Sequence, residues 1–349
     1  MKELIDSGAL AGDPESLRAR LSVYGYLFFR GLLPAGPVVQ AGAAVASALA
    51  DDGWTDATGR PSTPPRAVNV ADALRDRGFL AASATRPFNR IPYLPQLRGT
   101  VRGVLGADAF SYPVKVLRAI YPEEGAGVAR GRFVHQDFIG SRVCDMLTTW
   151  VPLMPVPVRL GGLAVLPGSH LGPPLLPRTL SPDRPDQPDW ATADFEVGDV
   201  LLFHCLTSHA ALPNRTDRLR LSQDTRWQAA DQPAPARMIY GPPAVRREGA
   251  PRELYSRLLR FERWWEPVPA SLTIAAHEGG ADVDAGADPN RRVHSRQQHS
   301  PQASAGPAVW SRFFAVHPAW SSAAPWRERL GKSAFVLQSG RRPAPRLAA

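Results

Sequence analysis

No stretch of this sequence is long and apolar enough to cross a bilayer, which takes roughly 18 consecutive apolar residues. The longest candidate, Val38 to Ala50, falls short of that and is mostly alanine. Cysteine is nearly missing. Cys144 and Cys205 are the only two, too few for a disulfide framework, which fits a reducing cytoplasm. Both lie in apolar, strand-like runs and read as buried free thiols. The N-terminus, MKELIDSGALAGDPES, has acidic residues and no basic start leading into an apolar core, so it does not read as a secretory signal. No internal repeat is present. The formal net charge is +9, almost all of its positive part arginine. Those arginines are scattered, with no basic run interleaved with aromatics of the kind a nucleic-acid groove requires. Membrane and nucleic-acid partners are therefore not expected.

What is present fits a globular protein. A chain of 349 residues, 44% hydrophobic, can bury one large core, or one core and a small appendage. Short alternating runs punctuated by glycine and proline predict a mainly β core with flanking helices. Asp13-Pro14-Glu15 opens a helix, with Asp13 as N-cap and Pro14 at the first helical position. Gly25 ends it, and Tyr26 to Arg30 reads as a strand. A helix runs from Pro37 to about Ala50 and another from Leu94 to Leu105. Between Asp52 and Leu94 periodicity is poor, and most of that stretch reads as loop, with one helical turn over Val68 to Arg75. Strands are expected at Pro113 to Tyr121, Asp145 to Leu153, Leu163 to Leu166 and Val200 to Leu206. The last is followed by a loop carrying His209 and a strand from about Leu219 to Gln228. Pro122 to Arg130 and the proline-dense Pro173 to Asp189 read as loops. Arg252 to Trp265 reads as an amphipathic helix.

Strands point alternate side chains to one face. Arg220, Ser222, Asp224 and Arg226 therefore share a polar face, while Leu219 and Leu221 point the other way. A polar row on a core-like strand suggests a pocket lining. Upstream, the segment FVHQDF puts His135 and Asp137 on the same side of an extended run. Two imidazoles and one carboxylate hold a divalent iron on one face and leave positions for co-substrate and oxygen. His135, Asp137 and His209 are the candidate set, with His204, five residues before His209, as the alternative ligand. Arg220 and Ser222 could grip a far carboxylate, arginine offering a planar fork matched to it. Arg218 and Arg226 are rivals for that role.

The ordered set resembles the phytanoyl-CoA dioxygenase family of iron- and 2-oxoglutarate-dependent oxygenases. The resemblance rests on His135-Gln-Asp137, GGLAVLPGSH ending at His170, Gly198-Asp199, His209, Asn214 and Arg220. It covers roughly Ser22 to Gln228. It implies a double-stranded β-helix (jelly-roll, cupin-like) core. It also implies Fe(II) on His135, Asp137 and His209, with 2-oxoglutarate held by Arg220 and Ser222 and O2 as the further substrate. Trp150 matches a position near the co-substrate, and a core tryptophan is the equally open reading. The implied activity is hydroxylation of a small-molecule substrate, a specialised metabolite or an acyl compound, with release of succinate and CO2. Halogenating relatives replace the carboxylate with a small residue, and Asp137 argues against that chemistry. Desaturation or ring closure stays open, as does a non-catalytic cupin-like binding protein. The expected organisation is an oxygenase domain over 1–270, a disordered linker over 271–308, and an extension over 309–349 with one apolar segment, Val309 to Trp320.

Overall fold

In the computed structural model the described residues are 1–56, 58–63, 65, 73, 76–122, 134–141, 143, 145–172, 182, 189–235, 238–239 and 269–275. Packing divides the chain into units at residues 1–294 and 295–349, and every described element lies in the first. Nine strands build the core: β1 (Lys2–Glu3), β2 (Tyr26–Phe29), β3 (Phe110–Ile120), β4 (Met146–Pro152), β5 (Leu163–Val165), β6 (Ala191–Thr192), β7 (Val200–His204), β8 (His209–Ala211) and β9 (Arg220–Gln228). They form a five-stranded antiparallel sheet in the order β2-β7-β4-β9-β3 and a four-stranded sheet in the order β1-β6-β5-β8. The expected double-stranded β-helix architecture is what the chain adopts.

The reason is legible strand by strand. The β2 run YLFF and the β7 run VLLFH are buried at every position, so each needs cover on both faces. One face of the large sheet meets the small one in a core of Phe28, Trp150, Leu163, Val165, Phe195 and Phe203. The opposite face meets helices. Helix α1 (Pro14–Tyr24) starts as expected: the Asp13 side chain accepts hydrogen bonds from the Glu15 and Ser16 amides, and Gly25 closes it at φ 76°. Helix α2 (Ala35–Asp51) comes so close to the end of β4 that a Cβ on Gly42 would sit 2.2 Å from the Leu153 carbonyl oxygen. Only glycine fits there.

The stretch from Asp52 to Leu94 departs from expectation. From Arg77 on, where loop is expected, it holds α3 (Arg77–Ser83) and α4 (Arg86–Arg90), then a 3-10 turn at Ile91–Tyr93, before α5 (Pro95–Leu105). The Asp76 carboxylate caps α3 by accepting from the Phe79 amide. These helices are too short for a hydrophobic period to show, and packing on α2 holds them. Other expectations lie in whole or large part outside the described residues: the turn over 68–75, the loops over 122–130 and 173–189, the helix over 252–265, and everything beyond 275.

Candidate metal centre

Between β7 and β8 the chain turns from the large sheet into the small one, and the turn delivers His209. The sequence suggests a loop there, but His209 is the first residue of β8. The difference is small in sequence and large in consequence. As a strand residue, His209 exchanges backbone hydrogen bonds with His135, N to O at 3.1 and 3.0 Å. The two imidazoles sit side by side, with ring centroids 4.2 Å apart. Asp137 also departs from the extended conformation expected of it. It opens a short helical turn, α6 (Asp137–Ser141), whose Phe138 amide bonds the Cys205 carbonyl. The Gln136 side chain between the two candidate ligands turns away to donate to the Leu206 carbonyl.

The ligand atoms of His135, Asp137 and His209 all lie within 4.8 Å of one another. Asp137 Oδ1 is 3.9 Å from His135 Nε2 and 4.0 Å from His209 Nε2. The His209 Nδ1 lies 2.9 Å from the Thr207 carbonyl, which assigns the proton to Nδ1 and leaves the Nε2 lone pair facing the cluster. Burial pushes the His209 pKa down against the pull of Asp137, so the ring is neutral, as a metal ligand must be. Burial alone would push the Asp137 carboxyl up. The Arg226 guanidinium above all, with the Thr148 hydroxyl, holds Asp137 ionised, well below the usual carboxylate range. Two imidazole nitrogens and one ionised carboxylate converging on a common space form a donor set that fits a divalent iron.

The polar row of β9 is as the alternation predicts. Arg220 is 1% exposed. Its Nε donates to the Gly161 carbonyl at 3.0 Å and its NH1 to Ser222 Oγ at 2.6 Å. No carboxylate lies within ion-pair distance of it among the described residues, and its guanidinium is 5.8 Å from the centre of the Trp150 ring. The Trp150 Nε1 is a buried donor without an acceptor. A desolvated cation beside an indole N–H forms a cradle suited to a carboxylate. Burial lowers the Arg220 pKa to about 10, so it remains a cation at neutral pH.

The rivals fall elsewhere. Arg218 is exposed. His204 accepts from the Leu206 amide and stacks near His170, with centroids 5.8 Å apart, rather than joining the other three. Arg226 does reach the centre, but at Asp137. Asn214 ties down the chain entering β9, donating to the carbonyls of Ile120 and Arg218. Thr148 was not singled out by the sequence reading. Its place on the inward face of β4, between Met146 and Trp150, was the available signal.

A jelly-roll barrel holding a His-Asp-His cluster beside a buried arginine defines a class, the non-haem iron oxygenases that use 2-oxo acids. The phytanoyl-CoA dioxygenase family model matches residues 21–222, more than half of the chain. The chain belongs to the phytanoyl-CoA dioxygenase family, and is thereby an enzyme of the 2-oxoglutarate-dependent non-haem iron dioxygenase class, with iron and 2-oxoglutarate as cofactors. A 1-deoxypentalenic acid 11-beta-hydroxylase from Streptomyces exfoliatus is 28% identical over 258 residues, covering 66% of this chain and 86% of the relative. Among solved structures, the epimerase SnoN from nogalamycin biosynthesis is 24% identical at TM-score 0.45, covering 63% of this chain and 84% of its own. Apo EctD from S. alaskensis is 20% identical at TM-score 0.47, covering 71% of this chain and 88% of its own. Among the described residues no helix is long and apolar enough to cross a membrane.

Proposed function

We propose that this protein hydroxylates an unactivated C–H bond of a small molecule, a specialised metabolite or acyl compound, in the cytoplasm. His135, Asp137 and His209 hold iron through Nε2, Oδ1 and Nε2. Arg220 and Ser222 bind the far carboxylate of 2-oxoglutarate, beside Trp150. The single observation that carries this reading is the joint placement of the three converging ligand atoms and the buried Arg220 guanidinium, which has no carboxylate within ion-pair distance among the described residues. The hydroxylase among the relatives supports small-molecule hydroxylation in particular.

The redox chemistry belongs to the metal centre, where decarboxylation of 2-oxoglutarate to succinate and CO2 is coupled to oxidation of the substrate. The chain supplies geometry and dryness. Arg220 orients the co-substrate by its fixed fork. Phe203, with its ring 4.5 Å from that of His209, covers that ligand from the core side. Asp137 occupies the position that would otherwise admit a halide, so oxygenation rather than halogenation is the outcome. The same oxidant could serve desaturation or ring closure, and product analysis distinguishes these from hydroxylation.

The test is anaerobic loading with Fe(II) and 2-oxoglutarate, followed by exposure to O2 and assay for succinate. Wild type produces succinate without added substrate, slowly, and His209→Ala produces none while keeping its far-UV circular dichroism. Wild type that binds both yet never forms succinate would favour a non-catalytic cupin-like binding protein. Retained turnover in His209→Ala would move the ligand to another histidine.

A further inference from the structure

Register brings Thr148 of β4 directly opposite Arg226 of β9, and both side chains end on the same carboxylate. Thr148 Oγ1 donates to Asp137 Oδ2 at 2.5 Å, and Arg226 NH2 donates to Oδ1 at 3.0 Å. We propose that this cross-strand pair is a positioning device that presents Asp137 to the metal through one oxygen only. The inference rests on the ligand set proposed above and adds to it the residues that aim one ligand.

A carboxylate oxygen has two acceptor directions in its plane. Oδ1 is the oxygen that faces the two imidazoles, at 3.9 and 4.0 Å, and Arg226 fills one of its directions, leaving the other for a cation. Oδ2 is turned away from the imidazoles onto the Thr148 hydroxyl. Thr148 fills one direction of Oδ2 in the same way, so what favours Oδ1 is aim: it is the oxygen nearest both imidazoles, and swinging Oδ2 toward them would strain the short Thr148 bond. The guanidinium is itself held from behind. Arg226 NH2 is 3.8 Å from Asp224 Oδ2, and that oxygen accepts from Arg118 Nε at 2.7 Å. Arg118, Asp224, Arg226 and Asp137 thus alternate in sign from β3 to the metal ligand. Each charge is neutralised by its neighbour, which lets a cation sit beside a cation site without a large net repulsion. Arg226 directs its NH2 to Asp137, with Asp224 close behind. Arg220 has no carboxylate of the described residues within ion-pair distance, so the two arginines of one strand have separate tasks.

Partners that orient a ligand contribute roughly 10- to 100-fold to metal affinity, and that is the quantity to read. The full-length protein is titrated with Co(II), as an oxygen-inert probe, and with Fe(II) without oxygen. The set is wild type, Arg226→Met, Arg226→Lys, Thr148→Val and Thr148→Ser, each checked by circular dichroism. Arg226→Met and Thr148→Val are expected to weaken metal binding about 10- to 100-fold. Thr148→Ser restores it and Arg226→Lys restores part of it, while 2-oxoglutarate affinity of the metal-loaded protein changes little. Thr148→Val removes one hydroxyl and keeps the shape, so it carries the test if Arg226→Met fails to fold. Unchanged metal affinity in both removals would overturn the proposal. So would tighter metal binding in Arg226→Met, which would make Arg226 a stand-in for the cation. Weakened 2-oxoglutarate binding at unchanged metal affinity would make Arg226 a co-substrate contact instead. Wild type that binds neither metal would defeat the functional reading itself.

Discussion

Two buried groups at the residue scale make opposite demands on solvent. Arg220 remains charged in a site where burial disfavours charge, so its removal should be felt by whatever anion neutralises it. Truncating one partner of a desolvated charged pair costs about 2–5 kcal/mol, which is at least about 30-fold in affinity. Arg220→Ala should therefore raise the apparent KM for 2-oxoglutarate at least about 30-fold and leave that of the primary substrate nearly unchanged. Equal loss of both in steady-state assays would contradict the anchor assignment. His170 is the other case. Its Nε2 lies 3.1 Å from the Ser22 carbonyl, its Nδ1 is buried without a partner, and burial lowers its pKa from 6.5 to about 4. Folded His170 is harder to protonate than unfolded, so its contribution to stability is whole above pH 6.5 and is lost as pH falls toward 4. The loss approaches about 3 kcal/mol. Urea midpoints measured from pH 7 to 4 should fall for wild type and fall less steeply for His170→Gln. Buried His209 adds a slope of the same sign.

At the scale of elements, α2 and α5 make a matched experiment in glycine. Gly42 in α2 has no room for a methyl against the Leu153 carbonyl, whereas Gly99 in α5 has nothing within 4 Å. Alanine improves helix propensity by about 1 kcal/mol at either position, but overpacking costs ~1–3 kcal/mol. Gly42→Ala should lower Tm and Gly99→Ala should raise it, each by a few degrees in a calorimeter. A rise in both would mean that α2 shifts off β4 freely. The strands were largely legible in the sequence because alternation and burial agree along them: β4, β7 and β9 fall within a residue or two of their expected places. So was the polar row from Arg220 to Arg226. What sequence could not supply was the fate of short elements. His209 in β8, three residues long, has no period to display, and its pairing with His135 is a contact across 74 positions of chain. Thr148 was hidden for the same reason. Alternation puts Thr148 on one face with Met146 and Trp150, but what it touches shows only once Asp137 and β9 are set beside it.

At the scale of the molecule, the candidate centre and both sheets are complete by residue 235, and the last described pairing joins Ala234–Pro235 to Ile274–Ala275. The composition of 276–308 offers little apolar surface to offset its ordering. A chain ending at Ala275 should remain monodisperse and bind Fe(II) and 2-oxoglutarate as the full chain does, by gel filtration and titration. Aggregation, or loss of substrate turnover with co-substrate binding intact, would give the apolar segment Val309 to Trp320 a docking role. The order of the large sheet has a further consequence for synthesis. Each of its four pairings joins a strand that ends by residue 152 to one that begins at residue 200 or later. A ribosome that has delivered β2, β3 and β4 has delivered no two strands of that sheet that pair with each other. The apolar runs of this first half wait, at 5–20 residues per second, for β7 and β9 to emerge. The sheet therefore cannot pair before β7 and β9 emerge, and the interval before residue 228 is when the chain depends most on being shielded from its neighbours.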